Sequence, residues 1–350
     1  MRRRNVVVFS ILCLILGGAV ACSVSKRAAV EVDQAKLRMF KPLPAEMESA
    51  SNPITEEKVA LGRMLYFEPR LSKSQTLSCN SCHGLNTFGV DGQPVSDGHK
   101  GAKGNRNAPT VYNAAGHFVQ FWDGRAPTVE EQAKGPVMNP LEMAMPSEKQ
   151  VIAVLTSMPE YIEAFKRAFP EQQNAVTFDN MAKAIGAFER KLVTPSRWDK
   201  FLAGDQSALT DAEKTGFNKF METGCQTCHN GAYVGGGMFQ KLGLVTPWTH
   251  TNDTGRFQVT KQEADKMMFK VPSLRNITNT APYYHDGSVA TLQEAVKLMA
   301  EHQLGKQLRD EDVASIITWL KSLTGEPPAE YVKPPELPKS TAKTPKPDLT

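Results

Sequence analysis

Two pentapeptides hold the most reactive side chains of this chain: Cys79-Asn80-Ser81-Cys82-His83 and Cys225-Gln226-Thr227-Cys228-His229. Paired thiols two residues apart, with a histidine directly after, form the attachment signature of a c-type haem. Two thioether bonds fix the porphyrin and the histidine supplies an axial nitrogen to the iron. Other uses of such cysteines fit less well. A disulfide within each pair, or a redox Cys-x-x-Cys beside a βαβ pattern, leaves the repeated histidine unexplained. A shared four-cysteine zinc site needs pairs closer in sequence than these, which begin 146 residues apart. The spacing therefore predicts two covalent haems.

What each iron does depends on the opposite face of its haem. A single protein ligand leaves a place for peroxide, whereas two ligands favour electron transfer. The chain has seven histidines, two of them in the pentapeptides. His99 follows His83 by sixteen residues, at the end of a glycine-rich run, Gly84–Gly104, that could swing an imidazole onto or off the first iron. Leu292, Val296 and Met299 share one helical face, and spacing alone assigns all three to core.

Helices must position these groups. Thr55 opens a helical run with Leu61, Met64, Leu65 and Phe67 ahead of the first pentapeptide. Thr210 and Glu213 form a capping-box pattern ahead of the second, followed by Phe217, Phe220 and Met221. Further helices are expected at 147–169, 180–193 and 310–323, and 84–107 reads as a loop. Strand signals are few. The expected fold is mainly α: two cytochrome c-like domains with irregular loops, one covalent haem in each, spanning 45–204 and 205–325. The Pro- and Lys-rich tail, 326–350, lacks hydrophobic periodicity and is read as a solvated extension or a partner strap, disordered rather than folded.

Residues 1–21 read as a secretory signal, with Arg2–Arg4 as its basic end and Val6–Leu16 as an apolar core too short to span a bilayer. A periplasmic location follows. Cys22 stands directly after the small-residue cleavage site, which favours a lipid-anchored N-terminal cysteine over a free thiol, although Ala19 departs from the usual lipoprotein leucine. The formal charge is +4, and without the three signal arginines it falls to +1, with 38 basic and 37 acidic residues. That balance excludes a nucleic-acid partner.

Several longer stretches carry a resemblance. Gly89-Val90-Asp91-Gly92, Asn107-Ala108-Pro109-Thr110-Val111-Tyr112-Asn113, Phe121-Trp122-Asp123-Gly124-Arg125 and Gln132-Ala133-Lys134-Gly135-Pro136 stand in the first half. Lys270-Val271-Pro272-Ser273-Leu274-Arg275-Asn276, Tyr284-His285-Asp286-Gly287 and Gln303-Leu304-Gly305 stand in the second. In order and spacing these resemble the bacterial dihaem cytochrome c peroxidases over residues 45–325. The resemblance implies that His83 ligates a low-potential peroxidatic iron that His99 caps in the resting oxidised form. His229 and Met299 then ligate a high-potential iron; a thioether favours ferrous iron and raises the potential.

It further implies Glu142 as the distal acid–base carboxylate with Gln132 as its neighbouring amide, where residue type alone reads Glu142 as a surface charge. Trp122 matches a tryptophan between the haems, compatible with plain packing, and His285 a histidine near a haem edge with no assigned role. Asn107, Thr280 and Pro282 match a Ca²⁺ site of one side-chain oxygen and two carbonyls, hard ligands suited to that ion. The implied activity is reduction of H₂O₂ by a homodimer, with a small periplasmic cytochrome c or cupredoxin as electron donor. Two alternatives stand beside it. A plain electron-carrying dihaem cytochrome would keep both irons six-coordinate. A protein-oxidising maturation enzyme of the same superfamily carries tyrosine where this chain has Met299.

Overall fold

The computed structural model describes residues 30–350. The signal and the Cys22 anchor lie outside the described residues. Helices longer than one turn are α1 (Glu56–Tyr66), α2 (Val129–Met138), α3 (Glu148–Thr156), α4 (Pro159–Ala168), α5 (Phe178–Glu189), α6 (Arg197–Leu202), α7 (Asp211–Thr223), α8 (Leu292–Leu304) and α9 (Asp310–Leu320). Two three-residue strands, β1 (Phe239–Lys241) and β2 (Met268–Lys270), pair antiparallel with Phe239 opposite Lys270. No helix among the described residues is long and apolar enough to cross a membrane.

Each pentapeptide follows a capped helix. The Thr55 hydroxyl accepts from Lys58 N at the start of α1, and Thr210 with Glu213 closes a reciprocal capping box at the start of α7. Each of these helices crosses a later one at a glycine. A Cβ on Gly62 would stand 1.9 Å from Ala184 O of α5, and one on Gly216 2.1 Å from Ser315 O of α9. The two halves thus repeat one device: a helix leading into the haem motif, pressed backbone to backbone against a partner helix.

The expected 147–169 helix is broken into α3 and α4. Met158 is extended (φ −118°, ψ 111°) and Pro159 opens α4, because the residue before a proline is pushed out of the helical region. The 180–193 helix starts earlier, capped by Thr177, and ends at Glu189. The 84–107 segment is irregular apart from single 3-10 turns at Leu85–Thr87 and His99–Gly101.

The first core gathers Leu61, Leu65, Val154, Tyr161, Phe165 and Ile185, and the second Trp198, Phe217, Phe220, Ile316 and Trp319. The ends of the described chain cross between them. Val32 and Phe40, ahead of the first expected domain, pack in the second core, as does α6 through Trp198 and Phe201. The tail corrects the expectation of disorder. It is laid along the first half, with Tyr331 packed edge-on against Phe188 and polar ties from Arg63 to Lys333 O (2.7 Å) and Arg70 to Pro338 O (2.8 Å). These are backbone-to-side-chain bonds, which leave no hydrophobic pattern in sequence.

Candidate functional site: two unequal haem pockets

No disulfide joins the motif cysteines Cys79, Cys82, Cys225 and Cys228, so all four sulfurs are left for thioether bonds. Both pentapeptides wind into a single turn, with His83 N bonded to Cys79 O (2.9 Å) and His229 N to Cys225 O (3.0 Å). Each histidine then donates its Nδ1–H to a carbonyl further on: His83 to Gly89 O and His229 to Val234 O, both at 3.3 Å. That arrangement fixes the tautomer and leaves Nε2 with the lone pair an iron needs. Burial lowers the pKa of both imidazoles, that of His229 to about 4, which keeps them neutral. Burial likewise pushes Cys79 and Cys225 up to about 12. The residues fit two c-type haems.

The first pocket places His99 beside Glu142. His99 N donates to Glu142 O (2.7 Å), and the turn can lie this close only because residue 98 is glycine: a Cβ there would stand 1.8 Å from Leu141 O. The His99 ring is buried; Nδ1 has no partner, while Nε2 meets Thr350 O at 3.3 Å.

Glu142 follows α2, whose helix ends at the C-cap Asn139 before Pro140. The chain then folds back on that helix through Met143 N to Pro136 O (3.1 Å) and Met145 N to Val137 O (2.9 Å). Asn139 Nδ2 donates to Glu142 Oε1 at 2.7 Å. Burial raises the Glu142 carboxyl above its ordinary value, opposed by Asn139 and the charge of Arg125. Burial, with a smaller push from the Glu142 charge, raises the thiols of both Cys79 and Cys82. Gln132, half-buried on α2, makes no hydrogen bond to Glu142 among the described residues.

In the second pocket Met299 lies mid-way along α8. Leu292 and Val296, on the same face, pack in the cluster that contains Cys225, so this face is turned to the second motif. Just beyond the helix, Lys306 Nζ holds Thr223 O, the last residue of α7, at 2.8 Å.

Between the halves, Arg106 bridges Asp123 (2.6 Å) and Asp253 (2.6 Å). Next to it, Trp122 Nε1 donates to Asn107 O (3.0 Å), and Trp122 O accepts from Lys270 N (2.7 Å). Trp122 therefore stands at the junction, with its ring edge-on to His285 at 6.5 Å. Asn107 N bonds His285 O (2.8 Å), so its segment runs against the stretch that follows Thr280 and Pro282. The Asn107 amide nitrogen donates to Gln93 O (2.9 Å), which leaves Oδ1 as an acceptor. No cluster of three or more His, Cys, Asp or Glu suited to a metal occurs among the described residues; a Ca²⁺ here would rest on Oδ1 and carbonyls.

Four features escaped the sequence reading. Asn139 is one, signalled only by the turn-forming Asn-Pro dipeptide. Tyr66 Oη, which donates to His83 O at 2.6 Å, carried no signal beyond its place in α1. Glu189 is a buried carboxyl pushed up to about 8 by burial and by the Glu130 charge. The fourth is the fully buried Arg275–Asp199 pair, with NH1 to Oδ2 at 2.6 Å and NH2 to Oδ1 at 2.9 Å; Arg275 also holds Ala232 O, three residues past His229.

The family model described as di-haem cytochrome c peroxidase matches residues 56–207. The cytochrome c551 peroxidase of Pseudomonas aeruginosa is 47% identical over 322 residues, 90% of this chain and 92% of that one. The protein of the same name from Nitrosomonas europaea is 47% identical over 307 residues, covering 87% and 90%. A solved MauG-like protein associated with microbial copper homeostasis superposes with a TM-score of 0.73 at 30% identity, over 84% of this chain and 96% of that one. With paired motifs on a duplicated helical frame and near-half identity along nearly its whole length, this chain belongs to the dihaem cytochrome c peroxidase family.

Proposed function

We propose that this chain reduces H₂O₂ to water in the periplasm, taking electrons from a small redox protein, a cytochrome c or a cupredoxin. When bound, the two haems supply iron that coordinates peroxide and passes single electrons. Cys79, Cys82 and His83 hold one, and Cys225, Cys228, His229 and Met299 the other. Electrons enter on the Met299 side, and Trp122 lies between the halves to help them pass. His99 would cap the first site at rest, and the loop that carries it would move it away to open that site, a two-position change. Glu142 then takes a proton from one peroxide oxygen and returns it to the departing one. Its Oε1 is engaged by Asn139 and the second oxygen does the transfer; Gln132 lines the same side. A Ca²⁺ held by Asn107, Thr280 and Pro282 braces the junction of the halves. A homodimer is the working assembly, anchored by a lipid on Cys22.

One observation supports this reading most: the backbone bond from His99 N to Glu142 O at 2.7 Å, which sets the proposed cap and the proposed acid–base group side by side. The test pairs a peroxidase assay with electron paramagnetic resonance of the oxidised and half-reduced protein. Glu142→Gln is expected to lose turnover while keeping both ligand signatures, and His99→Gly to change the resting spectrum. Wild-type turnover by Glu142→Gln would sink the catalytic assignment.

A further inference from the structure

The 326–350 segment ends on the loop that carries His99. Gln75 Nε2 holds Pro345 O (2.8 Å), and Ser157 Oγ meets Thr344 Oγ1 (2.9 Å). Asp348 N donates to Lys73 O (2.9 Å), and the two side chains pair at 3.4 Å. Asp348 Oδ1 in turn accepts from Thr350 N (2.8 Å) and Thr350 Oγ1 (2.7 Å). The Thr350 carbonyl, fixed this way, accepts from Lys73 Nζ (3.1 Å) and His99 Nε2 (3.3 Å). Lys73 N closes the ring by donating to Met143 O (2.8 Å), next to Glu142. Thr350, Lys73, the Glu142 turn and His99 thus form one hydrogen-bonded circuit.

A carbonyl only accepts, so in this pose His99 carries its proton on Nε2. That nitrogen is the less hindered of the two, since Nδ1 adjoins Cβ, and with a proton it has no lone pair for iron. His99 is only 7% exposed, so an imidazole off the iron needs a protein partner for its N–H, because an unpaired buried donor is costly. We propose that Thr350 is a positioning residue for His99: its carbonyl is the place where the released imidazole parks, and the Asp348–Lys73 latch keeps that place built. The proposal rests on His99 being the removable ligand and deepens that reading.

The test uses the full-length holoprotein, half-reduced, with electron paramagnetic resonance and absorption spectra to read the ratio of five- to six-coordinate first haem. Asp348→Ala should lower that ratio about five-fold, the worth of one hydrogen bond. Deletion of residues 348–350 serves as a second variant should Asp348→Ala fold poorly, and should lower it at least as far. The exposed Lys346→Ala should leave it unchanged. A wild type that never opens on half-reduction overturns the His99 reading and the parking site with it. A wild type that opens, with an unchanged or raised ratio in both variants, overturns the parking site alone.

Discussion

Asn139→Ala tests whether the Glu142 carboxylate is tuned as acid–base chemistry demands. The Asn139 amide donates to Glu142 Oε1 at 2.7 Å, and such a bond stabilises the carboxylate more than the acid. Hydrogen bonds to charged groups contribute about 1.5–3 kcal/mol, and a pKa unit corresponds to about 1.36 kcal/mol. Removing the donor should therefore raise the carboxyl, already lifted by burial, by a further 1–2 units or so. The base form becomes scarcer at a given pH, so the acid limb of the kcat/KM profile for peroxide moves to higher pH by that amount.

The assay is steady-state turnover against pH with saturating reduced donor. Asn139 Oδ1 also accepts from Leu141 N (3.0 Å), so the variant loosens the turn as well as the charge. The two effects separate in the profile: lost geometry lowers the alkaline plateau, and lost electrostatic support moves the limb. An acid limb that stays in place, or moves to lower pH, refutes the reasoning whatever happens to the plateau.

Glu189→Gln should flatten the dependence of stability on pH. The folded chain keeps a proton on Glu189 up to about 8, while the unfolded chain loses it near the ordinary 4.5 of a glutamate. Stability is therefore fullest below the lower value and declines as pH rises through that window, by up to about 1.4 kcal/mol per unit; urea unfolding across the window should show the slope in the wild type and not in the variant, and parallel curves would count against it. Asp199→Ala should cost about 3–5 kcal/mol, because it strands Arg275, 1% exposed, without its carboxylate. Denaturation followed at the second haem measures it, and a loss below about 1 kcal/mol would mean that water reaches the guanidinium.

The parts of this molecule legible in sequence are those whose cause is local. Thr55 and the Thr210–Glu213 box mark helix starts because a cap bonds residues two or three positions away. The cysteine spacing is legible for the same reason: both thiols and the histidine sit on one turn. The helix break at Met158–Pro159 was written in the proline but hidden by an apolar period that runs on through it. What stayed illegible is long-range. Nothing in Val32 or Phe40 says that they pack beside Trp198, and the tail docks through carbonyls on Arg63 and Arg70, which no periodicity records. Glu142 could be singled out by resemblance alone; its physical partner, Asn139, required the fold of the turn after α2.

The two pockets share their scaffold, so the different roles proposed for them turn on how His99 and Met299 are carried. Met299 lies within the thirteen-residue α8, capped by the Thr291 hydroxyl at its start and closed by the left-handed Gly305 at its end. The Lys306 bond to Thr223 then ties the helix to α7. Withdrawing Met299 means unwinding or shifting that helix against the second core. His99 stands instead on a turn whose bonds are mostly internal, such as Gly98 N to Ala102 O and Ala102 N to His99 O, and these travel with it. The ties to the rest of the fold that distinguish its two positions are few: the bond to Glu142 O and, with the ring parked, the one to Thr350 O, each worth about 1 kcal/mol. Segments with few external contacts open first, so the proposed release of His99 would need only a small bias, one that leaves Met299 in place. On the proposed roles of His99 and Met299, the asymmetry between one reactive and one electron-supplying centre is an asymmetry of attachment, loop against helix, more than of ligand chemistry.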